Sequence, residues 1–268
     1  MDNILEVSNL TYSYNSNQTI FNDLQFSIKK ETINLLLGSN GSGKTTLIRL
    51  LSGILPSNGS ISIDNIKLNK QNIRKYMLSI GVVFFDDPNR FLFDNVLDEL
   101  AFPLENLNYK KDVIINRIYE IRDILDLQNC LNKKISELTY YEQVKVLIGI
   151  SMIHKPKIIF LDNPFSKLND IEIKKIFKFL NRIKKDTTIF ITSSNLDQIL
   201  LFDDVIVMNN GNILIHDRPK NVLQHDNELS KAGFIIPPMI DLSLKLSFYG
   251  IIDEVITDVN EMVNKLWK

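Results

Sequence analysis

Apolar and polar positions alternate with period two near the start of the chain, where Leu24, Phe26 and Ile28 are separated by polar neighbours. That is the period of a half-buried strand, and residues 4–28 read as β segments of a mixed or antiparallel sheet. Residues 33–37 form an unbroken apolar run of strand length, and Leu47, Ile48, Leu50 and Leu51 then recur at helical spacing. Between run and helix lie eight residues rich in glycine, so the order is strand, glycine loop, helix. Pro56 to Gly59 supplies turn chemistry, residues 60–63 and 80–84 read as strands, and residues 95–154 form a mostly helical block. A second buried strand is predicted at residues 158–161, a helix over 170–183, a strand over 188–191 and a short helix near 196–201. Residues 205–208 and 213–215 are joined through Asn209-Asn210-Gly211, a sequence suited to a hairpin turn. From Pro219 onward the pattern is helical again, broken by Gly233 and Pro237-Pro238, and predicts an appended subdomain.

Composition narrows the picture. Of 268 residues, 44% are apolar and 24% charged, the profile of a folded globular chain and not of a disordered one. Thirty-one basic against thirty-two acidic residues leave a net charge of −1, which cannot supply the counterion release behind nonspecific nucleic-acid binding. A nucleic-acid partner is therefore not expected. No apolar run approaches the roughly 18 residues that span a bilayer, the N-terminal residues carry no secretory pattern, and the single cysteine, Cys130, allows no internal disulfide. His154, His216 and His225 share no metal-ligand spacing with one another or with Cys130 and read as structural or surface residues.

The glycine loop carries the chemistry. Gly38-Ser39-Asn40-Gly41-Ser42-Gly43-Lys44-Thr45 fits G-x-x-x-x-G-K-[ST] without a gap. In that arrangement glycines let backbone N–H groups wrap phosphates, and the following helix adds the positive end of its dipole. Lys44 reaches the β and γ phosphates, and Thr45 offers its hydroxyl to Mg²⁺. The other protein ligand to that ion is normally an Asp ending a distant apolar strand, which Ile158-Ile159-Phe160-Leu161-Asp162 provides. The candidate nucleotide-binding residues are Ser39, Asn40, Gly41, Ser42, Gly43, Lys44, Thr45 and Thr46, the candidate metal ligands Thr45 and Asp162, and the expected cofactors a nucleotide, which the resemblance below makes ATP, and Mg²⁺.

With these motifs in place, the chain resembles the ATP-binding subunits of ABC transporters, and among them the energy-coupling factor branch that drives uptake of vitamins and metal ions. The resemblance spans nearly the whole chain, through Gly81-Val82-Val83-Phe84-Phe85, the Asp86 to Phe91 loop and the Ala232 to Pro237 segment. It implies an α/β fold of the P-loop NTPase type: a RecA-like core with an antiparallel β subdomain and a helical subdomain, plus a small C-terminal helical extension. Residues 1–217 would form the nucleotide-binding domain, with its helical subdomain at about 95–155, and residues 218–268 a dimerisation extension. It also places Tyr14 under the adenine ring, a second ATP-binding subunit across the nucleotide with a heterodimer preferred, a membrane-embedded transport subunit beside it, and the chain peripherally on the cytoplasmic face of the membrane.

The departures from the family pattern define the expected activity. Where the signature LSGGQ stands, this chain has Leu138-Thr139-Tyr140-Tyr141-Glu142. The resemblance implies that two phenols crowd the partner's nucleotide, that Glu142 adds negative charge, and that positions suited to glycine in the left-handed region now cost about 1–2 kcal/mol each. Asn163 stands where a glutamate polarises the attacking water, and an amide is not a base. Ser193 replaces the histidine that contacts the γ-phosphate, Phe85 the glutamine near Mg²⁺, and Asn169 an aspartate. Loss of a positioned base alone removes about 10²–10⁴ in rate. No catalytic residue is assigned, Asn163, Ser193 and Phe85 being degenerate positions, and the expected function is nucleotide binding with impaired hydrolysis. Two other readings stay open: a competent ABC-type ATPase using substitute residues, and a non-transport regulator of the same fold. Asp86, Asp87, Asp94, Asp98 and Glu99 form an acidic cluster beside the region that touches the membrane subunit in the family, and Trp267 is expected to anchor the tail by packing.

Overall fold

The computed structural model describes residues 2–15, 18–253, 255–256 and 259–267. Two long strands, β1 (Asn3–Ser13) and β2 (Thr19–Lys29), pair antiparallel and join β4 (Asn58–Ile63) and β5 (Ile66–Lys67) in a sheet of order β2-β1-β4-β5. The larger sheet has the order β10-β9-β3-β8-β7-β6. It is built from β3 (Ile33–Gly38), β6 (Ile80–Phe84), β7 (Ile158–Asp162), β8 (Thr188–Ser193), β9 (Asp204–Asn209) and β10 (Asn212–Asp217). The β3–β8, β3–β9, β6–β7 and β7–β8 pairs are parallel, and β10 pairs antiparallel with β9. Asn210 (φ 46°) and Gly211 (φ 76°) make the tight turn between β9 and β10, both in the left-handed conformation that such hairpins demand.

The central strands are mostly apolar because both faces of the sheet are covered. Leu36, Phe160, Phe190 and Ile206 pack with the antiparallel sheet and α1 (Lys44–Leu51), whereas Leu35, Leu161, Ile191 and Val205 pack with helices on the other side. Those helices include α3 (Val96–Asn106), α4 (Lys111–Leu125), α5 (Tyr140–Met152) and α6 (Asp170–Ile183), whereas the short α2 (Ile73–Leu78) before β6 packs its Tyr76 on the side of α1. The α6 boundaries follow from a capping box, in which the Asn169 side chain accepts from Glu172 N–H and Glu172 accepts from Asn169 N–H, and from an apolar stripe at Ile173, Ile176, Phe177, Leu180 and Ile183. The short helix expected near 196–201 is only a 3₁₀ turn, Ile199–Leu201. After β10 come α7 (Pro219–Val222), α8 (Asp226–Lys231), α9 (Pro238–Phe248) and α10 (Val259–Leu266). Trp267 is 81% exposed, so the expected packing anchor is corrected: the ring lies beyond α10 and the described residues leave it largely uncovered. Among the described residues no helix is long and apolar enough to cross a membrane.

Candidate functional site

The phosphate loop links β3 to α1 at the C-terminal edge of the parallel sheet, where ligands of open α/β sheets bind. Gly43 caps α1 at φ 106°, and a Cβ there would sit 3.1 Å from the Phe21 ring. Only glycine fits both the angle and the space. A cavity of about 250 Å³ opens over the loop, lined by Asn40, Gly41, Gly43, Lys44, Thr45, Thr46, Asp162, Ile20, Asp86, Asn163, Thr192 and Ser194. The Lys44 ammonium curls back to donate to the carbonyls of Gly38 (2.6 Å) and Ser39 (3.0 Å). Burial pulls its pKa down, and Asp162 opposes that shift by attraction. Ser42 is buried with its hydroxyl unpartnered among the described residues. Tyr14 sits at the rim, half-exposed, its hydroxyl 3.1 Å from Thr46 Oγ1 and its ring edge-on to Tyr12.

Asp162 ends β7 and is buried. Its Oδ2 accepts from the Thr45 hydroxyl at 2.8 Å and its Oδ1 from the Thr192 hydroxyl at 2.6 Å. The parallel register that sets Asp162 opposite Thr192 makes the second bond possible. A hydroxyl and a carboxylate oxygen at this distance form an all-oxygen donor set, the type that suits Mg²⁺.

The three positions expected to be degenerate are treated differently by the fold. Phe85 is 1% exposed and belongs to the core on the helical side, so its ring points away from the cavity. Ser193 is buried in a local turn, its Oγ accepting from Asn195 N–H at 3.0 Å, and it does not line the cavity, whereas Ser194 does. Asn163 does line it. Its backbone is left-handed (φ 59°), its N–H donates to Thr192 Oγ1 at 3.0 Å, and its Nδ2 donates to Asp86 Oδ2 at 2.8 Å. Asn tolerates this conformation better than most residues.

Tyr140 and Tyr141 correct part of the expectation drawn from the signature. Neither has a positive φ, because they open α5 behind the N-cap Thr139, so no left-handed strain exists there. Tyr140 lies between Arg90 and Lys167, and Tyr141 faces the buried Lys145 ammonium at 5.2 Å. Arg90 braces the corner by donating to the Phe85 carbonyl and to Gln143 Oε1 at 2.9 Å. The Glu142 charge is also spoken for. Burial alone would raise its pKa, but the Thr139 N–H, the Lys133 ammonium at 3.1 Å, the Cys130 thiol and the Thr139 hydroxyl outweigh that and bring it to about 2.

The acidic cluster is not one surface. Glu99 is buried and accepts from the backbone N–H groups of Leu92 and Phe93, its pKa raised by burial against those bonds. Asp98 pairs with Asn95 at the start of α3. Asp86 faces the phosphate cavity. Ile20, Asp86, Thr192 and Ser194 are the lining residues that sequence reasoning did not assign to the site. For Thr192 the available signal was the parallel alignment of two apolar strands, each ending in a polar residue.

A family model described as ABC transporter matches residues 21–166. The chain is 31% identical to the energy-coupling factor transporter ATP-binding protein EcfA1 of Mesomycoplasma hyopneumoniae over 99% of its length and 98% of that protein's. To the EcfA1 of Streptococcus sanguinis it is 30% identical, over 100% and 98%. A solved structure of cbiO1 from Clostridium perfringens, described as part of the ABC transporter complex cbiONQ, superposes with a TM-score of 0.78 at 28% identity, covering 88% of this chain and 97% of that one. The phosphate loop, the carboxylate opposite it and this full-length likeness converge: the chain belongs to the ABC transporter family, as an ATP-binding subunit of the energy-coupling factor type.

Proposed function

We propose that this subunit binds ATP with Mg²⁺ and cleaves it slowly or not at all. Lys44 and the loop N–H groups would hold the phosphates, Thr45 and Asp162 the metal, and Tyr14 the adenine. The supporting observation is the contrast within one cavity edge: the Lys44, Thr45 and Asp162 arrangement is complete, whereas Phe85 is turned into the core, Ser193 is spent on a local turn, and an amide stands at Asn163. When bound, Mg²⁺ would screen phosphate charge.

The subunit would act at the cytoplasmic face of the membrane in an uptake system for vitamins or metal ions, pairing with a second, different ATP-binding subunit and docking on a membrane-embedded one. The names of its relatives support this. Residues 218–268 would form the dimerisation extension and 1–217 the nucleotide-binding domain. Exposed Ile235, Phe248, Tyr249 and Trp267 give the extension apolar surface for the second subunit to cover. In such a pair the partner's phosphate loop would face the Tyr140-Tyr141 corner of this chain, so both shared sites would be slowed.

Phosphate release by the purified chain, with and without the second subunit and against Lys44→Ala, tests the reading. The expected rate lies below about 1 s⁻¹, the lower end of ordinary enzyme turnover. A Lys44-dependent rate of the chain alone at or above that value overturns it.

A further inference from the structure

Two carboxylates face the phosphate cavity. Asp162 is fully engaged by the hydroxyls of Thr45 and Thr192. Asp86 is not: its Oδ2 accepts from Asn163 Nδ2 at 2.8 Å, and its Oδ1 carries no hydrogen bond among the described residues. Asp86 lies one residue beyond the buried Phe85, on the loop that leaves β6, and it is solvent-accessible at the cavity wall.

The positions are fixed from both sides. Phe85 N–H donates to the Asp162 carbonyl, and its ring is held in the core, which turns the next side chain toward the cavity. Asn163 is pinned through its N–H to Thr192, the residue that also holds Asp162, and its left-handed backbone aims its amide across at Asp86. By resemblance, an amide belongs at Phe85, at the end of β6, and a carboxylate at Asn163, directly after the β7 aspartate. This chain carries its carboxylate one residue past the first of these, at Asp86, and its amide at the second, and the two are hydrogen-bonded to each other.

We propose that acid and amide have exchanged strands, and that the residual ATP hydrolysis of this subunit runs through Asp86 as general base, oriented by Asn163. The proposal rests on the reading that the cavity holds ATP. In the step, the Asp86 carboxylate accepts one proton from a water molecule as that water's oxygen bonds to the γ-phosphorus. The bond from the γ-phosphorus to the β–γ bridging oxygen breaks, its electron pair leaves with ADP, and the proton passes from Asp86 to the inorganic phosphate released. An exposed carboxylate held by one amide is a weaker device than a glutamate beside the reacting centre, which fits a slow site.

Asp86→Asn removes the base with little change of shape, and Asp86→Asn with Asn163→Glu restores the family order of amide and acid. Phosphate release and the affinity for a slowly cleaved ATP analogue are measured for each, with Lys44→Ala as background. Asp86→Asn should lower the Lys44-dependent rate at least tenfold, the lower reach of general-base effects being about 10², with analogue affinity unchanged or a few-fold tighter because one negative charge leaves the cavity. The double variant should recover the wild-type rate or exceed it. An Asp86→Asn rate equal to wild type overturns the proposal. So does a parallel tenfold loss of analogue affinity, which would make Asp86 a binding group, and so does a wild-type rate indistinguishable from Lys44→Ala. That last outcome leaves the binding reading intact, whereas absence of analogue binding to the wild type removes the binding reading itself.

Discussion

The ends of β3 and β7 and the ends of β6 and β8 lie along one edge of the same sheet, but they have kept different things. At the first pair, the side chains proposed to meet phosphate and metal are held: Lys44 against two loop carbonyls, and Thr45 against Asp162. At the second pair, the residues expected to replace a glutamine and a histidine have been taken into the fold, Phe85 in the core and Ser193 in a turn. The replacements are satisfied where they stand. Reverting one of them alone would therefore lose a structural interaction and would not by itself regain chemistry.

The comparison breaks most readily at Phe85. Phe85→Gln deletes a core ring and buries an amide without a partner, so it should destabilise by about 3–5 kcal/mol. Denaturant unfolding would show that loss with no gain in phosphate release, and a stable variant with faster turnover would mean that this position still serves the site. On the intact side, Lys44→Ala removes a charge-assisted donor to phosphate, worth about 1.5–3 kcal/mol. Calorimetry with an ATP analogue should register a loss of roughly 10- to 100-fold in affinity while the unfolding midpoint stays close to wild type.

The signature corner gives smaller effects. Glu142→Ala opens the capping box of α5 and frees Lys133, which should cost about 1 kcal/mol. The same contact predicts acid sensitivity. The folded carboxyl ionises with a pKa of about 2, below its unfolded value, so the stability it contributes is complete above the ordinary carboxylate range and drains away as pH falls toward 2. Unfolding midpoints compared at pH 6 and pH 3 should drop less in Glu142→Gln than in wild type. Equal drops would mean that Glu142 is not among the groups responsible.

Much of this was legible from residue order. The gapless phosphate loop fixed the site, the apolar run into Asp162 fixed its second half, and α6 follows the stripe of Ile173, Ile176, Phe177, Leu180 and Ile183 between an Asn cap and the turn at Lys184. What stayed hidden depends on packing between distant segments. Nothing local says that Glu99 turns inward to take two backbone N–H groups, that Trp267 is left uncovered, or that Tyr140 and Tyr141 begin a helix with no left-handed residue. The Asp86–Asn163 pair spans 77 positions of sequence, and only the parallel β6–β7 register brings the two together.

The most direct test of the account is the identity of the nucleotide the protein holds. The purified chain is mixed with ATP and Mg²⁺ for about one minute, long enough for an enzyme turning over at about 10 s⁻¹ to complete hundreds of cycles, then separated from free nucleotide, and the bound fraction is analysed by chromatography. The account predicts stoichiometric bound nucleotide in which ADP accumulates at less than about 1 s⁻¹. Faster accumulation of ADP, or recovery of no nucleotide at all, contradicts it.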